Sequence, residues 1–120
     1  TGQYRSCLQD IRKVAEAAGE IPLKVIIEAP LLSEDETCRA SELAVQAGAA
    51  FVKTGTGWVG AASVKQVELI YNTIGDQASI KAAGGIRELS AVRELYHAGC
   101  DRFGIGASPA AAILEEARIK

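Results

Sequence analysis

A chain of 120 residues has room for one domain with one hydrophobic core. Its hydrophobic fraction of 48% and charged fraction of 23% are those of an ordinary globular protein and exclude a disordered chain. The net charge of −2, without a block of like charges, argues against nucleic acid as a main partner. No apolar run approaches the roughly 18 residues of a membrane span. Three widely spaced cysteines, Cys7, Cys38 and Cys100, predict neither a disulfide framework nor a zinc site and favour a reducing, cytoplasmic setting.

Helices and strands alternate along the chain. Apolar residues at three- and four-residue steps predict a first helix over residues 5–18, which stops at Gly19. Tyr71 and Tyr96 belong to the apolar stripes of two later helices and are predicted to point inward. The other elements are, in order, a strand over 23–28, a helix to Gly48, a strand over 51–53, a helix to Gly75, a strand over 80–81, a helix over 89–98, a strand over 102–105 and a last helix.

Three helix starts carry a specific signal. Ser33 with Glu36, and Ser63 with Gln66, have the spacing of a capping box, in which each side chain accepts a backbone N–H of the other residue. Ser108-Pro109 is predicted to open the last helix with a side-chain cap and a first-turn proline.

The order of elements predicts an α/β fold with a parallel sheet of alternating βα units. Residues 1–120 are predicted to form a single half-barrel domain, a helix followed by four βα units. Strand parity puts Lys53 and Lys81 on one face, and Val52 and Ile80 on the face that helices cover. Polar residues recurring on one face near strand ends suit the interior of a (β/α)8 TIM barrel, although four strands also suit an open sheet.

Two lysines at strand exits are the strongest chemical signal. Lys53 and Lys81 each end a short apolar strand and precede a glycine turn. Burial and a neighbouring ammonium both lower a lysine pKa, and the free amine attacks carbonyls to form a Schiff base. One lysine is therefore a candidate nucleophile, and the other a cation that tunes it or shuttles protons. The alternative is that these lysines reach solvent or pair with Glu28.

Glycine pairs follow the last three strands, at Gly55-Thr56-Gly57, Gly84-Gly85 and Gly104-Ile105-Gly106. Their backbone N–H groups, with the helix start at Ser108-Pro109, are candidates for holding a phosphate. Glycine also suits tight βα turns by itself, so each pair is weak evidence alone.

Four stretches together resemble deoxyribose-phosphate aldolase over essentially the whole chain. They are Leu23-Lys24-Val25-Ile26-Ile27-Glu28, Phe51-Val52-Lys53-Thr54-Gly55-Thr56-Gly57, Ile80-Lys81-Ala82-Ala83-Gly84-Gly85-Ile86-Arg87 and Arg102-Phe103-Gly104. The resemblance implies a cofactor-free and metal-free class I aldolase, a carbon–carbon lyase of carbohydrate catabolism. Its reaction is the reversible cleavage of 2-deoxy-D-ribose 5-phosphate to D-glyceraldehyde 3-phosphate and acetaldehyde.

The resemblance also implies roles for individual residues. It makes Lys53 the Schiff-base lysine, Lys81 the second lysine that perturbs it, and Lys24 a member of the polar network around them. The residues implied to hold the substrate phosphate, with the glycine-loop candidates, are Gly57, Gly84, Gly85, Arg87, Gly104, Gly106 and Ser108.

This chain matches only the C-terminal half of the family's barrel. The family's catalytic aspartate lies on a strand of the other half, so no residue here takes its role. Gly55 stands where the family usually has serine, and Trp58 stands near the phosphate in place of a common lysine. Gly106-Ala107 replaces a serine pair, which leaves Ser108 as the nearest hydroxyl.

Two functions follow as alternatives. The first is a Schiff-base aldolase that acts on a small phosphorylated sugar or aldehyde and is incomplete as this chain. The second is a catalytically inactive half-barrel that serves as a phosphate-binding or assembly module. In both cases the open edges of a four-stranded half-barrel predict a homo-oligomer.

Overall fold

A computed structural model describes residues 2–119 of the chain. The helices are α1 (Tyr4–Ala18), α2 (Glu34–Gln46), α3 (Val64–Ile74), α4 (Leu89–His97) and α5 (Ala107–Ile119). The strands are β1 (Lys24–Ile26), β2 (Phe51–Lys53), β3 (Ser79–Ala83) and β4 (Arg102–Gly104). Short 3-10 turns cover Ala29–Leu31 and Gly75–Gln77.

The four strands form one parallel sheet in the order β1-β2-β3-β4, with a helix crossing over between each pair of neighbours. The predicted α/β fold of alternating βα units is confirmed. The register pairs Val52 with Ile80 and Lys53 with Lys81, so the lysines share one face and the apolar side chains the other.

The hydrophobic core lies on one side of this sheet only. Val52 and Ile80 of the strands are completely buried, as are Val67 and Ile70 of α3, which crosses between β2 and β3. The opposite face carries the lysines and has no helix packed on it in the described part of the chain. The strand parity expected from the sequence therefore separates a packed face from a polar one.

Helix termini follow the sequence signals in most places. Both capping boxes are present: Ser33 Oγ accepts from the Glu36 backbone N–H, and Ser63 Oγ accepts from that of Gln66, each at 3.2 Å. Gly19, at the end of α1, has a φ of 60°, a left-handed conformation that glycine adopts without steric cost.

Strand β1 is shorter than the predicted strand over residues 23–28. It ends at Ile26 because Glu28 turns into the left-handed region with a φ of 55°, which an extended strand cannot contain. The chain nevertheless stays beside β2, since the Ile27 and Ala29 N–H groups donate to the carbonyls of Lys53 and Thr54.

Three further expectations are wrong. Tyr71 and Tyr96 do not point into the core, with 41% and 64% of their surfaces exposed. The Tyr71 ring packs beside Gly99, where an added Cβ would lie 2.7 Å from the ring atoms. Ser108 does not cap α5, because the helix starts at Ala107 and the first helical bond runs from the Ala110 N–H to the Gly106 carbonyl.

Within residues 2–119 no helix is both long and apolar enough to cross a membrane.

The one-sided core gives a stability prediction. Because Ile70 is completely buried, Ile70→Ala should lower the free energy of unfolding by about 2–5 kcal/mol. Ile21→Ala is the matched control, since Ile21 is 73% exposed and its truncation should change stability by no more than about 0.5 kcal/mol. Urea unfolding followed by circular dichroism measures both. Equal midpoints for the two variants would contradict this assignment of the core.

Candidate active site

Strand pairing brings the basic side chains together on the uncovered face. Lys53 and Lys81 are Cα partners across β2 and β3, and Arg102 is the partner of Lys81 on β4. Lys24 pairs with Phe51, two residues before Lys53 on the same face. Four cations from four successive strands therefore share one side of the sheet.

The ring of Phe51 contacts two of these cations. The Lys24 Nζ lies 5.2 Å and the Arg102 guanidinium 4.8 Å from the centroid of the Phe51 ring, both in cation–π contact. Among residues 2–119, the ion pairs join Arg39 to Glu42, Lys65 to Glu34 and Arg118 to Glu115, away from this face. None of these ion pairs includes a cation of the uncovered face.

The neighbouring positive charges affect the pKa of Lys81. Burial, followed by the positive charges of Lys53, Lys24 and Arg102, lowers the pKa of Lys81 below its ordinary value of 10.5. A lysine of this kind gives up its proton more readily than one in water, so a free amine is available beside Lys53 at a lower pH.

A cleft of about 540 Å³ opens beyond the carboxyl ends of β2, β3 and β4. Parallel α/β folds bind ligands at this end of their strands. The cleft is lined by Lys53, Thr56, Ala83, Gly84, Gly85, Ile86, Arg87, Gly104, Ile105, Gly106 and Pro109.

Close backbone contacts shape the wall of the cleft. A Cβ on Gly57 would lie 3.0 Å from the Gly84 Cα, and a Cβ on Gly84 would lie 2.8 Å from the Gly60 carbonyl oxygen. Both glycines have a positive φ, 90° and 114°, so a side chain would be strained as well as crowded. The loops after β2 and β3 therefore touch through bare backbone.

Thr54 and Thr56 tie the loop after β2 to its neighbours. Thr54 is completely buried, and its Oγ1 accepts a hydrogen bond from the Ala83 N–H at 3.2 Å. The Thr56 N–H donates to Glu28 Oε1 at 2.8 Å. Glu28 therefore pairs with Thr56 and not with a lysine, which is the alternative considered for the two lysines. The Thr56 N–H is also already engaged, so this amide of the glycine loop is not free to hold a phosphate.

The predicted site residues fall into two groups. Lys53, Gly84, Gly85, Arg87, Gly104 and Gly106 line the cleft together. Lys81 lies directly behind its wall, with Cε 3.6 Å from the point that a Cβ on Gly104 would occupy. Gly57, Lys24 and Ser108 do not line the cleft, although Gly57 lies against the Gly84 backbone of its wall.

Some cleft residues carry no sequence signal of their own. Ile105 and Pro109 line the cleft because β4 and the first turn of α5 bring them there. Thr56 lies between two glycines of a loop that the sequence already marked, so that motif could have indicated it. Trp58, in the same loop, is 92% exposed and does not line the cleft.

Comparison with known proteins places this arrangement in a family. The family model for DeoC/LacD family aldolases matches residues 1–108. The chain belongs to this aldolase family. The deoxyribose-phosphate aldolase of Klebsiella pneumoniae is 41% identical over 117 residues, which cover 97% of this chain and 47% of that relative.

Solved structures agree with the sequence match. QR15, an aldolase, superposes with a TM-score of 0.88 at 31% identity, and covers 98% of this chain with 54% of its own. The tetrameric deoxyribose phosphate aldolase of Aeropyrum pernix superposes with a TM-score of 0.86 at 26% identity over 96% of this chain and 50% of its own. The chain thus spans about half the length of the family members it matches, and its sheet corresponds to half of a TIM-barrel-like aldolase fold.

No three His, Cys, Asp or Glu side chains within residues 2–119 converge to hold a metal ion. The basic and backbone N–H groups of the cleft suit an anionic group of a ligand instead.

The cause of the low Lys81 pKa can be tested by removing its neighbours. Lys53→Met should raise the pKa of Lys81, because the Lys53 charge is the largest of the three that lower it. Lys24→Met should raise it by less, and both variants should leave it below 10.5 because burial remains. NMR titration of the lysine ammonium groups measures these values. A larger effect of Lys24→Met than of Lys53→Met would contradict the order of causes.

Proposed function

We propose that this chain supplies the Schiff-base lysine and the phosphate-binding cleft of a deoxyribose-phosphate aldolase. The reaction is the reversible cleavage of 2-deoxy-D-ribose 5-phosphate to D-glyceraldehyde 3-phosphate and acetaldehyde. The observation that supports it best is the pairing of Lys53 with Lys81 at strand ends that open into one glycine-lined cleft. The name of the Klebsiella pneumoniae relative supports the same substrate.

Lys53 is the proposed nucleophile because its side chain lines the cleft. Its free amine adds to the aldehyde carbon C1 of the open-chain sugar, and loss of water leaves an imine. The protonated imine then accepts the electron pair of the C2–C3 bond as that bond breaks, while the C3 hydroxyl loses its proton and leaves as the aldehyde of glyceraldehyde 3-phosphate. Protonation at C2 and addition of water release acetaldehyde and restore the amine.

Lys81 is proposed to exchange protons with the Lys53 amine. Its lowered pKa favours this role over that of a permanent cation, because a neutral amine can accept the proton that Lys53 must lose before it attacks. Lys24 contributes through its positive charge, which is among the causes of the low Lys81 pKa.

The phosphate is proposed to lie among the glycine loops. Gly84 and Gly85 from one loop, and Gly104 and Gly106 from the next, offer backbone that a ligand can approach without a side chain in the way. Arg87 adds a full positive charge at the same cleft, which suits a phosphate dianion. Gly57 and Ser108 do not line the cleft but are next in sequence to the lining residues Thr56 and Pro109, and they are proposed to act from its rim.

Borohydride trapping with acetaldehyde tests the proposed nucleophile. The parent chain should gain a reduced two-carbon adduct, and peptide mass spectrometry should place it on Lys53. Lys53→Ala should lower trapping by at least about 100-fold, because no other lysine within residues 2–119 lines the cleft. Lys13→Ala, which removes an exposed lysine of α1, is the matched control and should trap like the parent. Equal trapping by Lys53→Ala and the parent would exclude Lys53 as the nucleophile.

We further propose that the chain associates through its open sheet edges. β1 and β4 each have a single neighbouring strand, and such edges pair readily with other chains. Ile26, on β1 and on the uncovered face, is 44% exposed. The tetrameric Aeropyrum pernix relative supports assembly into a homo-oligomer. The alternative function is an assembly or phosphate-binding role without catalysis, and the open edges favour the assembly role.

Light scattering tests the association. The parent should be larger than a monomer at micromolar concentration, and Ile26→Lys should shift it towards monomer because a charge would be placed on the exposed edge strand. Ile21→Lys is the control, since Ile21 is exposed but lies outside the sheet. A parent that is monomeric throughout would contradict the proposal.

A cytoplasmic location is proposed from the cysteines alone. Cys7, Cys38 and Cys100 are all free thiols. Burial raises the pKa of Cys100, and its Sγ lies 2.9 Å from the Arg102 carbonyl oxygen, so this thiol has a structural role. Free thiols are typical of proteins in a reducing compartment.

A further inference from the structure

Glu28 has the one left-handed backbone conformation of a non-glycine residue among residues 2–119, with a φ of 55°. It lies two residues after the end of β1, at the end of the sheet where the cleft lies. Residues other than glycine rarely adopt a positive φ, and those that do are held in this conformation by surrounding contacts. The contacts of Glu28 therefore indicate what holds it.

The Glu28 carboxylate is hydrogen-bonded to the loop that follows Lys53. Its Oε1 accepts two hydrogen bonds from Thr56, one from the backbone N–H at 2.8 Å and one from Oγ1 at 3.2 Å. Thr56 Oγ1 in turn accepts the Trp58 N–H at 3.2 Å. The Thr56 hydroxyl thus donates to Glu28 and accepts from the Trp58 N–H, which links the carboxylate to the turn at residues 56–58.

Gly55 provides the space that this carboxylate needs. A Cβ on Gly55 would lie 2.7 Å from Glu28 Oε1, closer than such atoms approach in proteins. The φ of Gly55 lies outside the left-handed region, so steric room and not backbone conformation explains glycine here. The observed position of the Glu28 carboxylate therefore depends on the absence of a side chain at Gly55.

We propose that Glu28 is a positioning residue that sets the wall of the cleft through Thr56. Thr56 lines the cleft itself, and the next residue, Gly57, rests against the Gly84 backbone. The carboxylate therefore fixes the loop after β2 against the loop after β3, where the proposed function puts the phosphate. The inference rests on that function only for the identity of the anion.

We call the contact between the Glu28 carboxylate and Thr56 the clamp. Glu28→Ala tests it with two measurements on the full 120-residue chain. By 15N NMR, the Thr56 amide should exchange with solvent at least about tenfold faster, because its acceptor is lost. Titration with inorganic phosphate, followed at the amides of Gly84 and Gly85, should show affinity weakened by about tenfold, the equivalent of one charge-assisted hydrogen bond.

Two matched variants separate positioning from a general loss of structure. Glu28→Gln keeps an amide oxygen that can accept from Thr56 and should stay within about threefold of the parent in both measurements. Glu20→Ala removes an exposed carboxylate from the turn after α1, before β1 begins, and should match the parent. Phosphate affinity that falls equally in Glu28→Gln and Glu28→Ala would overturn the proposal in favour of a role for the charge.

Gly55→Ala offers an independent test if Glu28→Ala fails to fold. The new methyl group should displace the carboxylate and by itself speed Thr56 amide exchange. Where Glu28→Ala does fold, adding Gly55→Ala to it should change the exchange of the Thr56 amide little, because the two changes act on the same contact. Additive effects, or an unchanged Thr56 amide in either single variant, would overturn the proposal. These amide measurements need no imine, so failed trapping at Lys53 would count against the aldolase and not against the clamp.

Discussion

The parallel register between β2 and β3 is the constraint on which the site depends. It fixes the Lys53 and Lys81 backbones side by side and directs both side chains away from the packed helices. The two ammonium groups therefore lie on one face of neighbouring strands, where the Lys53 charge disfavours the charged form of Lys81. Burial of Lys81, together with the Lys53 charge that the register holds beside it, lowers the pKa of Lys81.

The cleft depends on backbone approaching backbone. Gly57 and Gly84 bring the loops after β2 and β3 into contact, and side chains at either position would separate them. Contacts without side chains carry little stabilisation by themselves, so they need support from neighbouring groups. Thr54, buried between the strand ends, and Glu28, which holds Thr56, provide that support from inside and outside the loop.

The uncovered face agrees with the match of this chain to half of a larger fold. The helices bury one side of the sheet, while the other side exposes basic residues and two unpaired edges. Relatives in the aldolase family are about twice as long, and this chain superposes on about half of each. Burial of an open sheet on both faces requires further chain or further copies, which connects the energetics of the fold to the proposed assembly.

The sequence by itself determined the order of elements, the parallel sheet, the capping boxes and the lysine face, because these depend on local periodicity and nearest-neighbour capping. It also marked the glycine loops that line the cleft. Only the tertiary structure decided that Glu28 leaves the strand to hold Thr56, and that Tyr96 faces solvent. It alone decided that Ile105 lines the cleft. These features depend on contacts between residues far apart in the chain, which no local pattern records.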